Sequence, residues 1–435
     1  MQNIVYNGIV LLFKIKEAKI MWTLKKIYWR AIEVVFTVLM YCWGWFFPDP
    51  TIIDGPGAIK KLPAIVKKKG KNQVLVVTDK GLMGLNLLDG LFKALDEVGV
   101  KYVVYDEVQP NPTIENVEAA LKLYKENNCQ AVIAVGGGSP MDCAKGTIAR
   151  VARPERPVAK MSGTFKVFLP AKKMNGLIPP PLYAVPTTAG TGSETTIAAV
   201  ITDASTHDKF PIMDPFIRAR YAVLDPELTA GLPKKVTSTT GMDAMTHAVE
   251  GYTNIWYNDK KFNDYGLKAI KLIFENLEKA YNNGSDLEAR GNMLLASYYA
   301  GLCFTRGGVG YVHGIGHRLG GKYGVPHGLA MSVILPHVFS DALLGPYVYD
   351  KLAEIADYVG ITGSSDEEKA KKFIAEIEAM NARMEIPTGF DCIKEEDIPW
   401  IAEHCIAEVL PTYPVKQIFT QKELEKFIRD EIMIK

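Results

Sequence analysis

Between residue 52 and about residue 235, short apolar runs of strand length alternate with stretches of helical periodicity, and no other feature narrows the fold so far. Val74–Val77, Tyr102–Tyr105 and Ala131–Val135 are runs of four or five apolar residues, mostly β-branched or aromatic. Before the first, Ile59, Leu62, Ile65 and Val66 recur at helical spacing. Before the second come Leu87, Leu88, Leu91, Phe92 and Leu95, and before the third Ile114, Val117, Ala120, Leu121 and Tyr124. Gly70 and Gly99 stop the first two of these helices. Strands that alternate with helices across short turns build a parallel sheet covered on both faces. Beyond about residue 235 the strand signals fade and long helical patterns take over, as at Leu267, Ile270, Leu272, Ile273 and Leu277. The expected fold is an α/β N-terminal domain with a Rossmann-like parallel sheet over 48–232, followed by an all-α C-terminal domain over 233–435.

Residues 1–47 stand apart from this body. Ile4 to Phe13 is largely apolar, and Lys14, Lys16, Lys19, Lys25, Lys26 and Arg30 follow. Val34 to Phe47 is then apolar but for Thr37 and Gly44. A membrane span needs about 20 apolar residues, and this run is shorter. Its basic upstream flank and its aromatic content suit an interfacial anchor in peripheral contact with a membrane. Pro48-Asp49-Pro50 follows it in place of a small-x-small cleavage site, which argues against a signal peptide. Two other readings stay open: a terminal helix packed on the body or on a second subunit, and a true start at Met21.

A formal net charge of +1 supplies no basic surplus for nucleic acid. The six cysteines (Cys42, Cys129, Cys143, Cys303, Cys392 and Cys405) form no CxxC pair. That argues against a disulfide framework or a cysteine zinc site and fits a reducing compartment. The expected location is the cytoplasm, with membrane association if residues 1–47 act as an anchor.

Two polar turns follow strands. Gly136-Gly137-Gly138-Ser139 comes directly after Ala131–Val135, and Pro140 begins a helix carrying Asp142, Ala144 and Lys145. Glycine lets a ligand approach the backbone, and a helix N-terminus favours an anion, so a dinucleotide pyrophosphate would fit. The plainer alternative is a tight turn with no ligand. Pro186 to Thr196 (PTTAGTGSETT) follows the strand-like Tyr183–Val185 and surrounds two glycines with hydroxyls. Turns of this kind meet at the C-terminal edge of a parallel sheet, where ligands bind. Asp79, at the end of the first strand, could accept from the ribose hydroxyls of NAD and repel the 2′-phosphate of NADP; it could equally cap a helix.

The second constellation is metal-like. Asp243 and His247 stand at i and i+4, on one face of a helix. Three of the seven histidines, His313, His317 and His327, fall within fifteen residues among glycines. Imidazole and carboxylate ligands suit Fe(II), Zn(II), Mn(II) or Ni(II). A lone histidine is more often structural; this group together points to a divalent ion.

Taken together, GGGSPMDCAK (136–145), PTTAGTGSE (186–194), GMDAMTHAVE (241–250) and HGIGHRLGGKYGVPHG (313–328) resemble the iron-containing alcohol dehydrogenase family. That family shares its fold with dehydroquinate synthase and glycerol dehydrogenase, and the resemblance covers nearly all of 48–435. It implies metal ligands at Asp243, His247, His313 and His327, with His317 near the nicotinamide as a proton relay or positioning group. It implies a nucleotide site at Asp79, Asn111, Gly137, Gly138, Ser139, Asp142, Thr187, Thr188, Ser193 and Lys209. Asn111 and Lys209 rest on the resemblance alone. The implied cofactors are NAD and Fe(II), with Zn(II) or another divalent metal as alternatives. The implied activity is interconversion of a primary alcohol and its aldehyde by a homo-oligomer. Residues 1–47 depart from the family pattern. A sugar-phosphate cyclase on the same fold would need several basic residues for substrate phosphate, and only Arg318 and Lys322 lie close to the metal motifs. A non-catalytic, tethered descendant is the other rival, against which the intact motifs argue.

Overall fold

The apolar runs become strands because β-branched and aromatic side chains pack well on a pleated surface buried on both faces. The computed structural model describes residues 21–35, 38, 48–164, 166–167, 178–205, 209–255 and 259–434. Its strands are β1 (Thr51–Asp54), β2 (Gln73–Val77), β3 (Lys101–Tyr105), β4 (Ala131–Gly136), β5 (Gly163–Thr164), β6 (Leu182–Pro186), β7 (Ala198–Thr202), β8 (Lys209–Met213) and β9 (Tyr221–Leu224). Six of them form one sheet in the order β1-β9-β6-β4-β2-β3, with every neighbouring pair parallel. β4 is flanked by β2, with Val74 opposite Ala131, and by β6, with Val132 opposite Leu182.

Helices α2 (Ala58–Lys68), α3 (Lys80–Gly84), α4 (Asp89–Glu97), α5 (Ile114–Glu126) and α6 (Gly138–Ala152) connect and cover this sheet. The strand period of two divides the core. Val74, Val76, Ile133 and Val135 join Leu62 of α2 and Leu91 and Leu95 of α4. Leu75, Val77, Val132 and Ala134 join Val117 of α5 and Met141, Ala144 and Ile148 of α6. All six strands being parallel, the residues that follow β2, β4 and β6 emerge at one edge. Asp79, Gly137 to Ser139, and Thr187 with Thr188 therefore gather there.

Three features depart from expectation. β1 and β9, of four residues each, are not among the strands expected from the sequence, although β9 lies inside the sheet. A separate three-stranded sheet pairs β8 parallel to β5 and antiparallel to β7; its exposed and buried positions mix, so it carries no long apolar signal. The helix expected from Pro140 begins two residues earlier, at Gly138.

No strand follows Leu224 among the described residues. The C-terminal part comprises α7 (Lys234–Thr253), α8 (Lys260–Asn282), α9 (Leu287–Gly307), α10 (Tyr311–Tyr323), α11 (His327–Phe339), α12 (Gly345–Tyr358), α13 (Asp366–Arg383), α14 (Ile398–Thr412) and α15 (Gln421–Phe427), around one large core. α7 is buried on nearly all sides from Gly241 to Thr253. A helix so placed must justify any polar residue it carries, and it carries Asp243, His247 and Glu250.

Residues 21–35 form helix α1, packed on the helical part. Trp22 and Trp29 lie partly buried against that core, edge to face at 5.6 Å. Arg30 donates to the Lys416 carbonyl at 3.0 Å and to Glu33 at 2.8 Å. The run Ile4–Phe13, the lysines at 14, 16 and 19, and most of the run Val34–Phe47 lie outside the described residues. Among those described, no helix is long and apolar enough to cross a membrane.

Candidate active site

α7 presents Asp243 and His247 one turn apart, with Glu250 a further turn along. His313 comes from the first turn of α10 and His327 from the start of α11. One ligand atom from each of Asp243, His247, His313 and His327 lies within 4.8 Å of the others. The first three are buried, while the His327 side chain is 44% exposed and opens the site to one side.

The hydrogen bonds around these groups decide what the centre can hold. His247 Nδ1 lies 3.2 Å from the Gly190 carbonyl, which can only accept, so the proton sits on Nδ1. His313 Nδ1 lies 2.6 Å from Glu250, which also accepts from the Val312 amide at 2.8 Å. Both Nε2 atoms are thereby left as lone pairs, and they face each other at 3.1 Å. Asp243 Oδ1, buried, has no hydrogen bond; it lies 3.3 Å from His327 Nε2 and 3.9 Å from His247 Nε2. Lone pairs and a bare carboxylate oxygen pointed at one spot repel each other unless a cation stands between them. Burial pushes His247 down to about 4 and His313 well below the usual imidazole range, so both are neutral and able to ligate. Burial alone would raise Asp243, but the neighbouring histidines hold it well below the usual carboxylate range. The residues fit a divalent metal.

The loop after β6 reaches across to this helix. A side chain at Gly190 would place Cβ 2.6 Å from the Thr240 carbonyl of α7, so only glycine allows the contact that brings the Gly190 carbonyl to His247. Phe304 of α9 stacks on His247 from another side, with centroids 4.0 Å apart.

His317 stands outside the four-ligand group, its ring 5.6 Å from that of His313 and 5.4 Å from that of His327. Its Nδ1 bonds Glu408 of α14 at 2.6 Å. Glu408 also accepts from Arg318 and, at 2.7 Å, from the Tyr413 hydroxyl. Burial would raise this carboxyl, but His317 and Arg318 hold it at about 2. Glu250 and Glu408 were not singled out from the sequence. Glu250 had a signal, since 243, 247 and 250 share one face of a helix. Glu408, 91 residues from His317, had none.

At the sheet edge, Asp79 and the Gly137–Gly138–Ser139 turn line one cleft of about 730 Å³. Gly136, at φ 152°, would put a Cβ 2.5 Å from Pro140, so the turn requires glycine there. Asp79 does cap a helix: its Oδ1 accepts from the Leu82 amide at 2.9 Å, at the N-terminus of α3. Asn111, in the left-handed region at φ 59°, donates its amide to Ser139 Oγ at 3.2 Å and accepts from Lys209 Nζ at 2.9 Å. These three therefore meet at the rim. Thr188 Oγ1 would lie 3.4 Å from a Cβ at Gly137, and buried Thr187 donates its amide to the Gly136 carbonyl at 3.0 Å. Asp142 and Ser193 are brought together too, but their oxygens are spent internally. Ser193 Oγ donates to Asp142 at 2.9 Å, and the Val200 amide donates to the other Asp142 oxygen at 2.9 Å.

Beneath them lies Lys145, fully buried, donating to Ser193 at 2.9 Å, Thr196 at 2.7 Å and the Ala198 carbonyl at 2.7 Å. Burial pushes its ammonium down to about 8 and the buried neighbour Glu194 up to about 7. A glutamate whose folded pKa exceeds its unfolded value adds stability below about 4.5, and that stability is lost as pH rises through about 7. Glu194→Gln cannot ionise, so its Tm relative to the parent should climb between pH 5 and 8; a flat difference would show that Glu194 is not strained by burial.

Sequence relationships agree with this geometry. A model of the iron-containing alcohol dehydrogenases matches residues 49–226, and one for the C-terminal part of the same family matches 237–432. The chain belongs to the iron-containing alcohol dehydrogenase family. It is 35% identical over 392 residues to the NAD-dependent methanol dehydrogenase of Bacillus methanolicus, covering 89% of this chain and 99% of that relative. It is 38% identical over 368 residues to the 1,3-propanediol dehydrogenase of Klebsiella pneumoniae, covering 81% and 90%. The solved alcohol dehydrogenase from Oenococcus oeni superposes with a TM-score of 0.81 at 33% identity, over 88% of this chain and 99% of its own. The fold is thus the family's dehydroquinate synthase-like architecture. The family match begins at residue 49, so residues 1–47 lie outside it.

Proposed function

We propose that this protein interconverts primary alcohols and aldehydes, using NAD and a divalent metal held by Asp243, His247, His313 and His327. The observation that carries the reading is the convergence of two imidazole lone pairs and a bare buried carboxylate oxygen beside a glycine-rich cleft. Ferrous iron is the ion proposed, and the same ligands accept zinc. When bound, the ion would supply Lewis acidity toward an alcohol or carbonyl oxygen, and NAD would supply the hydride acceptor. The chain's own residues do the rest. Gly137, Gly138 and Ser139 offer amides at the N-terminus of α6 to the pyrophosphate, with Thr187 and Thr188 alongside. Asp142 and Ser193, with Lys145 beneath, brace that turn. Asp79 receives the ribose, with Asn111 and Lys209 at the rim. His317, held at Nδ1 by Glu408, takes or gives the alcohol proton at Nε2. We divide the chain at 232/233, between the α/β part and the helical part, and expect it to work as a homo-oligomer.

The cyclase alternative is disfavoured by charge pairing. Arg318 is bound to Glu408, and Lys322 to Asp397 at 2.9 Å, so the two cations that stand within the metal motifs are already balanced.

The direct test uses protein purified without air, stripped of metal and resupplied with Fe(II) or Zn(II), with NADH formation followed across primary alcohols and diols. Metal-restored, NAD-dependent oxidation is expected; bound metal and NAD with no turnover on any alcohol or aldehyde would overturn the reading. Asp79→Gly should raise kcat/KM with NADP relative to NAD by about tenfold, the effect of removing one carboxylate from a phosphate's place. An unchanged cofactor preference would leave Asp79 as a helix cap alone.

A further inference from the structure

Among the described residues, helix α1 meets the body along one side. Trp22, Trp29 and Glu33 face inward, and Arg30 ties the helix to the Lys416 carbonyl. The opposite side is apolar and, among the described residues, uncovered: Met21, Leu24, Ile27, Tyr28, Val34 and Val35 are all exposed. At 100° per residue these six span an arc of about 140°, and exposed Ala31 fills its widest gap. Such a face normally packs on a core. Here it faces away from one, and a contiguous exposed apolar face marks an interaction site.

Charge selects the occupant. Residues 1–47 hold six basic and two acidic side chains, whereas the whole chain carries a net +1, so the extension is cationic on a body that is slightly anionic. Glu33, one of the two acids, is already paired with Arg30. Exposed Lys25 stands about 40° beyond Met21, at the border of the arc. A second copy of the same helix would offer the bordering Lys25 no opposite charge, since the arc itself holds none. An anionic bilayer meets both features, taking the apolar arc below its headgroups and Lys25 among them. With no described helix able to span, the helix would lie in the interface plane. The geometry points to α1 as a helix that seats the enzyme on anionic membrane surfaces, its inner face docked on the catalytic body and its outer face in lipid. The extension lies outside the family-matched regions 49–226 and 237–432, so this attachment is separable from turnover.

The test is co-sedimentation of the full-length protein with vesicles of phosphatidylcholine alone or with roughly a third phosphatidylserine. The expected result is binding to the anionic vesicles, about tenfold weaker to the neutral ones and weakened by salt. Leu24→Glu with Val35→Glu should cut the binding by about tenfold or more. Lys25→Glu, a surface change that does not touch the packed side, should weaken binding to anionic vesicles only. Alcohol oxidation should match the parent in both variants, which also reports that each is folded. No binding to either vesicle, or binding that survives both sets of substitutions, overturns the proposal. So does a dimer dissolved by Leu24→Glu/Val35→Glu with no vesicle binding, which would assign the arc to a second copy.

Discussion

His313→Ala should yield a folded protein that retains less than about a tenth of the parent's metal and loses about a thousandfold or more in kcat/KM. The ring it removes supplies one of the two opposed lone pairs in the centre, and His247 Nε2 would then face a void where its counterpart stood at 3.1 Å. The three residues that remain are Asp243, His247 and the half-exposed His327, too few to close a coordination sphere against water. The cost also reaches behind the ring. Glu250, buried and already pushed up to about 7 by that burial, would lose its 2.6 Å partner and keep the Val312 amide. An unpaired buried acceptor costs about 1–3 kcal/mol, so the variant should also melt earlier. Elemental analysis beside steady-state kinetics separates the outcomes. Full metal content with lost activity would make His313 a substrate-side residue and break the ligand assignment.

Much of this arrangement was legible before any coordinates, and where it was not there is a physical reason. The strands β2, β4 and β6 are buried and the edge strand β3 is partly so; each contains an apolar run, and helices α2, α4 and α5 carry one apolar stripe each, so period alone separates them. β1, β9 and the small sheet are fixed by what they pair with, and pairing partners are not written into four or five residues. Asp243 and His247 were visible because a helix puts i and i+4 together. Their grouping with the clustered histidines was readable as a metal-like set of residue types, but which of those histidines would ligate was visible only as a likeness to a family, since α10 and α11 reach α7 through tertiary packing. The same holds for Asn111 and Lys209, 98 residues apart and joined by one 2.9 Å bond. Asp142 and Ser193 show the opposite case: their motifs stand out in the sequence, yet their side chains turn inward to a buried lysine.

Glu250→Gln should weaken metal binding by about 10–100-fold, although the side chain touches no ligand position, because it acts through His313. The carboxylate serves several donors at once, among them the Val312 amide on one oxygen at 2.8 Å and His313 Nδ1 on the other at 2.6 Å. Glutamine keeps the shape but has one oxygen. If that oxygen stays on the Val312 amide, the amide NH₂ faces Nδ1 and drives the imidazole proton to Nε2, toward the metal. If it turns to His313, the Val312 amide in the first turn of α10 loses its acceptor. Either choice costs the site, and the first also removes a ligand's lone pair. A double variant discriminates between this role and plain support of α10. Should Glu250 act only through the His313 ring, His313→Ala/Glu250→Gln will bind metal no worse than His313→Ala alone, a coupling as large as the whole single effect. Should the two losses add, Glu250 stabilises the helix start and leaves the tautomer to something else.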